Sequence, residues 1–191
     1  MRTSEPGPGA WREARFREVY EATHDDLLRF LQRRVHHSHA EDVVAEVFLV
    51  AWRRLDDVPD RVADARPWLF GVARAILLNH RRGEQRRDAL AVRIAETTRL
   101  TGAFSYDDDV ASRLDLTKAW AQLSAAEQEA ISLTVFEGLD SARAGTVLGC
   151  SAVAYRLRLS RARRSLRRHL DAAAGNSRSL TSAVTPKELD R

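Results

Sequence analysis

Apolar residues recur every three to four positions along most of this chain, which is the spacing of an amphipathic α-helix. The pattern begins at Trp11, is interrupted by polar residues 23–25, and disappears between residues 88 and 112. No segment alternates convincingly between apolar and polar residues, as a half-buried strand would. We therefore predict an all-α protein with helices over residues 11–22, 26–36, 40–55, 67–87, 114–123, 125–136, 141–148 and 151–170.

The stretch without periodicity is the best domain boundary in the chain. It ends near the acidic run Tyr106-Asp107-Asp108-Asp109. The predicted fold is thus two small helical domains joined by a flexible linker, and we expect the two domains to be separable. The predicted division is a disordered tail at 1–10, a domain at 11–90, the linker at 91–112, a second domain at 113–171 and a flexible tail at 172–191.

One predicted helix carries unusual residues on its polar side. In residues 40–55, Val43, Val44, Val47, Phe48 and Ala51 share one face, while Asp42, Glu46 and Arg53 share the opposite face with Leu49. An apolar residue between carboxylates on a solvent face is typical of a protein-docking surface. An ordinary solvated face with one exposed leucine explains the pattern equally well. We call Glu41, Asp42, Glu46, Leu49 and Arg53 the docking strip.

Residues 151–170 form the most informative predicted helix. At about 100° per residue, Tyr155, Leu159, Ala162, Leu166 and Leu170 make one narrow apolar stripe. Seven arginines fill the rest of the helix, which is the right size for a DNA major groove. We call the cationic side the arginine face; it comprises Arg156, Leu157, Arg158, Ser160, Arg161, Arg163, Arg164, Arg167 and Arg168.

The segment before the arginine face has the signals of a tight helical turn. Gly138 and Gly149 stand where helices should stop, and Ser124 with Glu127 has capping-box spacing. Ser151 is placed to cap the arginine-rich helix, where exposed backbone N–H groups can also accept a phosphate. A short helix, a glycine turn and a second helix make a helix-turn-helix.

Composition narrows the function classes further. The net charge is only +4, but arginines cluster at 81–87 and 156–168, which favours a nucleic-acid partner. The single cysteine, Cys150, excludes an internal disulfide and a cysteine-based metal site.

No apolar run suits a signal peptide or a membrane span, so we expect a soluble, cytoplasmic protein. We expect no catalytic site, cofactor or metal, and interpret His36, His37 and His39 as surface residues.

Two further motifs complete a recognisable order. They read AEDVVAEVFLVAWRRLD at 40–56 and RPWLFGVARAILLNHRR at 66–82, and the helix-turn-helix follows them. In this order they resemble the sigma-70 family of RNA polymerase initiation factors, most closely the extracytoplasmic-function (ECF) type. The chain departs from the family's usual residues at Ala45, Ala75, Asn79, Arg143, Ala154 and Leu157, which bears on promoter preference and DNA melting rather than on the fold.

The resemblance implies a role for each predicted domain. The first would bind the beta-prime clamp helices of core polymerase through the docking strip and help to melt the minus-ten element. The second would contact the beta flap and read the minus-thirty-five element, with Arg156, Leu157, Ser160, Arg161 and Arg164 at bases and the remaining arginines at phosphates. An anti-sigma factor is a further expected partner.

Melting needs cations along the backbone, an aromatic or apolar wall and polar groups that read a base. The expected residues are Trp68, Arg74, Asn79, Arg81, Arg82, Arg86 and Arg87. Trp68 is as compatible with the core as with DNA, and the arginines also complement the end of a helix dipole.

Three alternatives to an initiation factor stay open from sequence. A helix-turn-helix regulator acting without polymerase leaves residues 40–87 without a role. A non-initiating polymerase-binding or anti-sigma-interacting decoy would bind polymerase and fail to start transcription. An enzyme would need a convergent polar pocket, which the sequence does not indicate.

Overall fold

The computed structural model describes residues 8–83 and 108–182, and within these ranges the chain is helical with no β-strand. The all-α prediction is therefore confirmed. The elements are α1 (Pro8–Gln32), α2 (His37–Arg53), a 3₁₀ turn (Leu55–Asp57), α3 (Val62–Gly83), α4 (Asp108–Ala121), α5 (Ala125–Val135), α6 (Ser141–Leu148) and α7 (Ala152–Ser182).

Helices α1, α2 and α3 pack around one another as the N-terminal lobe. Each contributes the apolar face that its periodicity predicts, and the rings of Phe30 on α1 and Phe70 on α3 stack with their centroids 4.3 Å apart. Burial of these faces is the main stabilising force in the lobe. Its fully or almost fully buried residues include Val19, Leu27, Leu31, Val43, Val47, Phe48, Ala51, Leu69, Ala73 and Leu77.

Helices α4 to α7 form the C-terminal lobe, in which α7 packs against the other three. Tyr155 is its largest fully buried side chain. The Tyr155 hydroxyl donates to the Ala130 carbonyl at 2.7 Å and lies 2.7 Å from the Thr134 hydroxyl. Burial raises the pKa of Tyr155 above its usual value. The phenol therefore fixes the orientation of α7 relative to α5.

The turns of the C-terminal lobe follow from its capping residues. Ser124 and Glu127 form the predicted capping box at the start of α5. The side chain of Asp140 accepts from the backbone N–H groups of Ala142 and Arg143, and these hydrogen bonds lower the pKa of Asp140. Gly149 ends α6 in the left-handed conformation, with φ of 65°, as a helix C-cap requires.

Several predicted helix boundaries are wrong. Helix α1 begins at Pro8, inside the predicted disordered tail, and it runs without a break through residues 23–25. Thr23 is buried, and its hydroxyl donates to the Val19 carbonyl four residues earlier at 2.6 Å. A polar side chain that bonds back to its own helix satisfies itself without breaking the helix.

The other helices also extend beyond the predicted limits. Pro67 lies inside α3 and not in its first turn, because α3 begins at Val62 with Ala65 buried. Helix α4 begins at Asp108, within the predicted linker, and carboxylates at a helix start complement its dipole. Helix α7 continues to Ser182, through part of the predicted tail, because adding residues to a formed helix costs no new nucleation. The linker residues 91–107 and the tail residues 183–191 lie outside the described ranges.

The two lobes are in contact with each other. Helix α3 of the N-terminal lobe crosses α6 of the C-terminal lobe, and the buried residues of both lobes form one continuous cluster. Gly71 lies at the crossing, where a Cβ atom on Gly71 would be 3.8 Å from the Cα atom of Val147. A Cβ atom there would be in ordinary van der Waals contact with the backbone of α6, so the two helices approach closely at this point.

Replacement of Gly145 tests the geometry of the turn between α6 and α7. A Cβ atom at this position would lie 2.6 Å from the Cys150 carbonyl oxygen, so the turn must shift. We expect Gly145→Ala to lower the free energy of unfolding by about 1–3 kcal/mol, measured by urea denaturation. Gly9→Ala is the matched control, because a Cβ atom there meets nothing within 4 Å. Equal stability of the two variants would contradict the observed turn.

Candidate nucleic-acid and protein interfaces

Helix α7 presents the arginine face to solvent, as the periodicity predicts. Tyr155, Leu159 and Ala162 are buried, and Leu166 and Leu170 are half-buried, so the apolar stripe faces the lobe. All nine residues of the arginine face are exposed, including Leu157 at 55%. Within the described ranges, no carboxylate forms an ion pair with these arginines. The face is therefore a dense array of accessible guanidinium groups.

Two shallow clefts flank this face and differ in chemistry. One lies between the start of α5 and α7 and is lined in part by Glu127, Leu157, Arg158 and Arg161. The other lies beside Ser141 and is lined mainly by guanidinium groups. An arginine-lined cleft suits phosphate oxygens, whereas the mixed cleft has the apolar and hydrogen-bonding groups that base edges require. The lining arginines of the second cleft are Arg156, Arg163, Arg164 and Arg167.

Ser151 holds the start of α7. Its hydroxyl accepts from the backbone N–H of Ala154 at 3.2 Å, which is the predicted N-cap interaction. Together with Gly149 and the buried Tyr155, this cap sets the position of the first turn of α7 in the helix-turn-helix.

The docking strip lies on the exposed face of α2. Glu41, Asp42, Glu46, Leu49 and Arg53 are all exposed, while the opposite face of α2 is buried. Leu49 exposes 48% of its surface, and the Glu46 carboxylate lies 3.1 Å from Nε2 of His80 on α3. The strip therefore combines an accessible apolar residue with accessible carboxylates.

Sequence reasoning missed Trp52, which extends the docking strip. Trp52 is 38% exposed, lies one helical turn beyond Leu49, and makes an edge contact with Phe16 at 5.2 Å between ring centroids. Together with Tyr20 and Arg17, these rings line a mostly apolar groove between α1 and α2. The sequence did contain a signal for this position, because Trp52 follows Leu49 by three residues and residues three apart on a helix are neighbours.

The residues expected to melt DNA lie on different faces of α3. Trp68 and Asn79 are eleven residues apart, so they lie within about 20° of each other around the helix. Trp68 is half-buried beneath Arg54, whose guanidinium carbon is 5.7 Å from the ring centroid. Asn79 is exposed. Arg86 and Arg87, and the side chains of Arg81 and Arg82, lie outside the described residues.

Arg74, which is also expected to take part in melting, is paired with a carboxylate of the other lobe. Its Nε atom lies 2.8 Å from Oε1 of Glu129, a carboxylate of the C-terminal lobe that is only 2% exposed. The guanidinium of Arg74 is therefore held in an ion pair and is not available to a phosphate in this conformation.

The described residues were also compared with the requirements of a metal site and of a membrane-spanning helix. Among them, no group of three or more His, Cys, Asp or Glu residues is arranged to hold a metal ion. His36 instead caps α2, where its Nδ1 atom accepts from the backbone N–H of Ser38. None of the described helices combines the length and apolar character that crossing a bilayer requires.

Both lobes match known protein families. The model of sigma-70 region 2 matches residues 19–87, and that of sigma-70 region 4 matches residues 113–166. The ECF RNA polymerase sigma factor SigL of Mycobacterium tuberculosis is 32% identical over 165 residues, covering 84% of this chain and 92% of SigL. The RNA polymerase sigma factor NccH of Alcaligenes xylosoxydans xylosoxydans is 35% identical, covering 68% of this chain and 72% of NccH.

Solved structures show the same fold. CnrH in complex with the cytosolic domain of CnrY is 26% identical with a TM-score of 0.55, covering 82% of this chain and 88% of CnrH. The sigma factor RpoE in complex with the anti-sigma factor NepR from Bartonella quintana is 24% identical with a TM-score of 0.58. That match covers 82% of this chain and 96% of RpoE, and at this identity it bears on the fold alone.

Two leucines on α7 test which face of the helix is anchored. Leu159 is 8% exposed, so Leu159→Ala should lower the free energy of unfolding by about 2–5 kcal/mol. Leu157→Ala is the matched control and should change it by less than about 0.5 kcal/mol, because Leu157 lies on the solvent side. Chemical denaturation measures both, and a reversed order would place the arginine face against the lobe.

Proposed function

Because this chain belongs to the ECF type of the sigma-70 family, we propose that its two lobes divide promoter recognition along the surfaces described above. The protein is an RNA polymerase sigma factor that binds core polymerase and recognises promoters. The exposed arginine face on a helix-turn-helix is the observation that most strongly supports the proposed division.

The docking strip is the proposed contact with the beta-prime clamp helices. Asp42 and Glu46 offer carboxylates to basic groups of the clamp, and Leu49 supplies the apolar centre that is buried on binding. Trp52 continues the apolar surface, and a large exposed aromatic residue is a frequent energetic centre of an interface. Charge complementarity sets the register and the association rate of such a contact.

The arginine face of α7 is the proposed reader of the minus-thirty-five element. Arg156 and Arg161 can each donate two hydrogen bonds to a guanine, and Leu157 can pack on a thymine methyl group. Arg163 and Arg167, two of the arginines that line the second cleft, suit phosphates, which set position without reading sequence. Each neutralised phosphate releases counterions, so binding should weaken steeply as salt rises. We also assign to the C-terminal lobe the contact with the beta flap of core polymerase.

The exposed face of α3 is the proposed melting surface. Trp68 and Asn79 share this face about 16 Å apart along the helix axis, so an unstacked base could rest on the indole while the amide contacts a different nucleotide. Arg54 lies over the Trp68 ring and adds a cation beside the same surface. Arg74 joins this set only after it leaves Glu129.

The proposed role is that of a specificity subunit and not of an enzyme, because the polymerase carries out the chemistry. We place the protein in the cytoplasm, where chromosomal DNA and core polymerase meet. We also propose that an anti-sigma factor restrains it. The related CnrH, which was solved in complex with the cytosolic domain of CnrY, supports a protein partner of this kind.

Charge reversal in the docking strip tests polymerase binding. We expect Asp42→Lys with Glu46→Lys to raise the Kd for core polymerase at least about a hundredfold, because interfacial charge pairs are worth several kcal/mol. Fluorescence anisotropy with purified core enzyme measures the Kd. Glu21→Lys with Asp25→Lys is the matched control, since both residues are exposed and have the same four-residue spacing on α1. If the docking-strip variant binds core polymerase as tightly as the wild type does, the strip is not the contact with the clamp helices. If the wild-type chain itself does not bind core polymerase, the result favours a regulator that acts without polymerase.

Two arginines of α7 separate base reading from phosphate binding. We expect Arg161→Ala to weaken promoter binding by about 1–3 kcal/mol and to relax base preference at one position. Arg167→Ala should instead weaken binding to all sequences alike and reduce the salt slope by about one. Run-off transcription with core polymerase on a randomised promoter library measures the preference, and titration at several salt concentrations measures the slope. Indistinguishable profiles for the two variants would refute the division of labour on α7.

A further inference from the structure

The start of α7 exposes three aliphatic side chains among its arginines. Val153 is 64% exposed, Leu157 is 55% exposed, and Ala154 is exposed as well. Val153 and Leu157 are four residues apart, so they lie on the same side of the helix, one turn from each other. Single exposed apolar residues are normal on a protein surface, whereas a contiguous group is a candidate binding surface. We call Val153, Ala154 and Leu157 the aliphatic patch.

The aliphatic patch points away from the C-terminal lobe. At about 100° per residue, Leu157 lies directly opposite the centre of the apolar stripe, and Val153 and Ala154 lie about 40° and 60° to either side of Leu157. Arg163 and Arg167, by contrast, lie about 80–120° away from Leu157 around the helix. When α7 enters a groove, the patch therefore faces the floor of the groove and these two arginines face one of its walls.

Aliphatic side chains have one favourable partner on the floor of the major groove. They neither donate nor accept hydrogen bonds, so they would only desolvate the polar edges of the bases. The C5-methyl group of thymine is the one apolar group that a base pair presents there. A protein partner could also cover exposed aliphatic residues. The seven exposed arginines that share α7 with the patch favour DNA, because they supply the positive potential that phosphates require.

The spacing within the patch matches the spacing of base pairs. Val153 and Leu157 are about 6 Å apart along the helix axis, at 1.5 Å per residue, which is nearly two base-pair steps of 3.4 Å. Each of these two side chains therefore meets a different base pair. Leu157 and Ala154 also line the mixed cleft together with Arg161, which can donate to a guanine. Apolar contacts thus precede guanidinium contacts along α7.

From this placement we infer that the aliphatic patch reads C5-methylated pyrimidines in the minus-thirty-five element. Two of them lie within about three consecutive base pairs, and Val153 and Leu157 each contact one. Val153 is thereby a further specificity-determining residue. Thymine supplies the methyl group in ordinary DNA, and 5-methylcytosine presents the same group in the same groove, so promoter recognition responds to cytosine methylation. The inference rests on the proposed function and deepens it.

Replacement of thymine by deoxyuridine tests the inference one methyl group at a time. Deoxyuridine keeps every hydrogen-bonding group of thymine and lacks only the methyl. The full chain with core polymerase first selects promoters from a library randomised over the minus-thirty-five element, and each selected thymine is then replaced singly. We expect the Kd of this holoenzyme to rise about fourfold for each methyl lost, as for one buried methylene group. An element selected without thymine, or equal Kd values for thymine and deoxyuridine at every position, would overturn the inference.

Val153→Ala and Leu157→Ala remove the protein's side of each contact. We expect each variant to lose the difference in Kd between thymine and deoxyuridine at one position and to keep it at the other. Val135→Ala and Leu114→Ala are the matched controls and should keep both differences, because Val135 is 60% exposed on α5 and Leu114 is 55% exposed on α4. Patch variants that keep both differences, or that bind core polymerase less tightly instead, would assign the patch to a protein partner and refute the inference.

5-Methylcytosine separates the methyl group from the rest of thymine. Cytosine is placed at each selected thymine position, with and without its C5-methyl group. We expect the methylated duplex to bind the holoenzyme about fourfold more tightly than the unmethylated one, since the same methyl contact is restored. Equal Kd values for the two duplexes would contradict the predicted response to methylation.

Failure of the inference can be told apart from failure of the proposed function. If the holoenzyme selects no sequence from the library, the proposed function fails and the inference falls with it. If the holoenzyme selects promoters but binds thymine and deoxyuridine duplexes equally, only the inference fails.

Discussion

The buried phenol of Tyr155 is the contact on which the nucleic-acid surface depends. Its hydroxyl forms hydrogen bonds with the Ala130 carbonyl and the Thr134 side chain, both on α5. These bonds fix the distance of α7 from α5 and the rotation of α7 about its own axis. A helix rotated by half a turn would bury guanidinium groups at a prohibitive desolvation cost. Because Tyr155 fixes the rotation, every arginine of the arginine face stays in water. A single buried ring thus determines where a whole cationic surface points.

The arginines of α7 are exposed to solvent, whereas several arginines of the N-terminal lobe are held in ion pairs. Those of α7 remain accessible and keep their positive potential. Those of the N-terminal lobe that face the C-terminal lobe are neutralised by Glu129 and Glu137. A count of charged residues cannot separate the two groups, since a guanidinium that attracts a phosphate attracts a carboxylate by the same force. Which anion it binds is decided by the arrangement of the lobes.

The spacing of apolar residues predicted the helix faces and caps, which depend on residues close together in the sequence. It did not predict contacts between residues that are far apart in the sequence. The faces of α2 and α7 follow from residue spacing, and the caps at Ser124 and Ser151 follow from short-range chemistry. The pairing of Arg74 with Glu129 joins residues 55 positions apart in different lobes, and no local pattern contains it. The polar residues at 23–25 suggested a break because the buried environment of Thr23 is a tertiary property. Trp52 was missed because a tryptophan beside an apolar stripe is more often part of the core.

The length of α7 has a mechanical consequence. The helix contains 31 residues, which makes it about 46 Å long at 1.5 Å per residue. It continues for about 18 Å beyond the half-buried Leu170. A fluorophore or fused domain attached after Ser182 would therefore be carried on a stiff lever arm, held away from the groove-facing turns. Small rotations of the lobe would be amplified at the tip of that lever into displacements large enough to follow in single molecules.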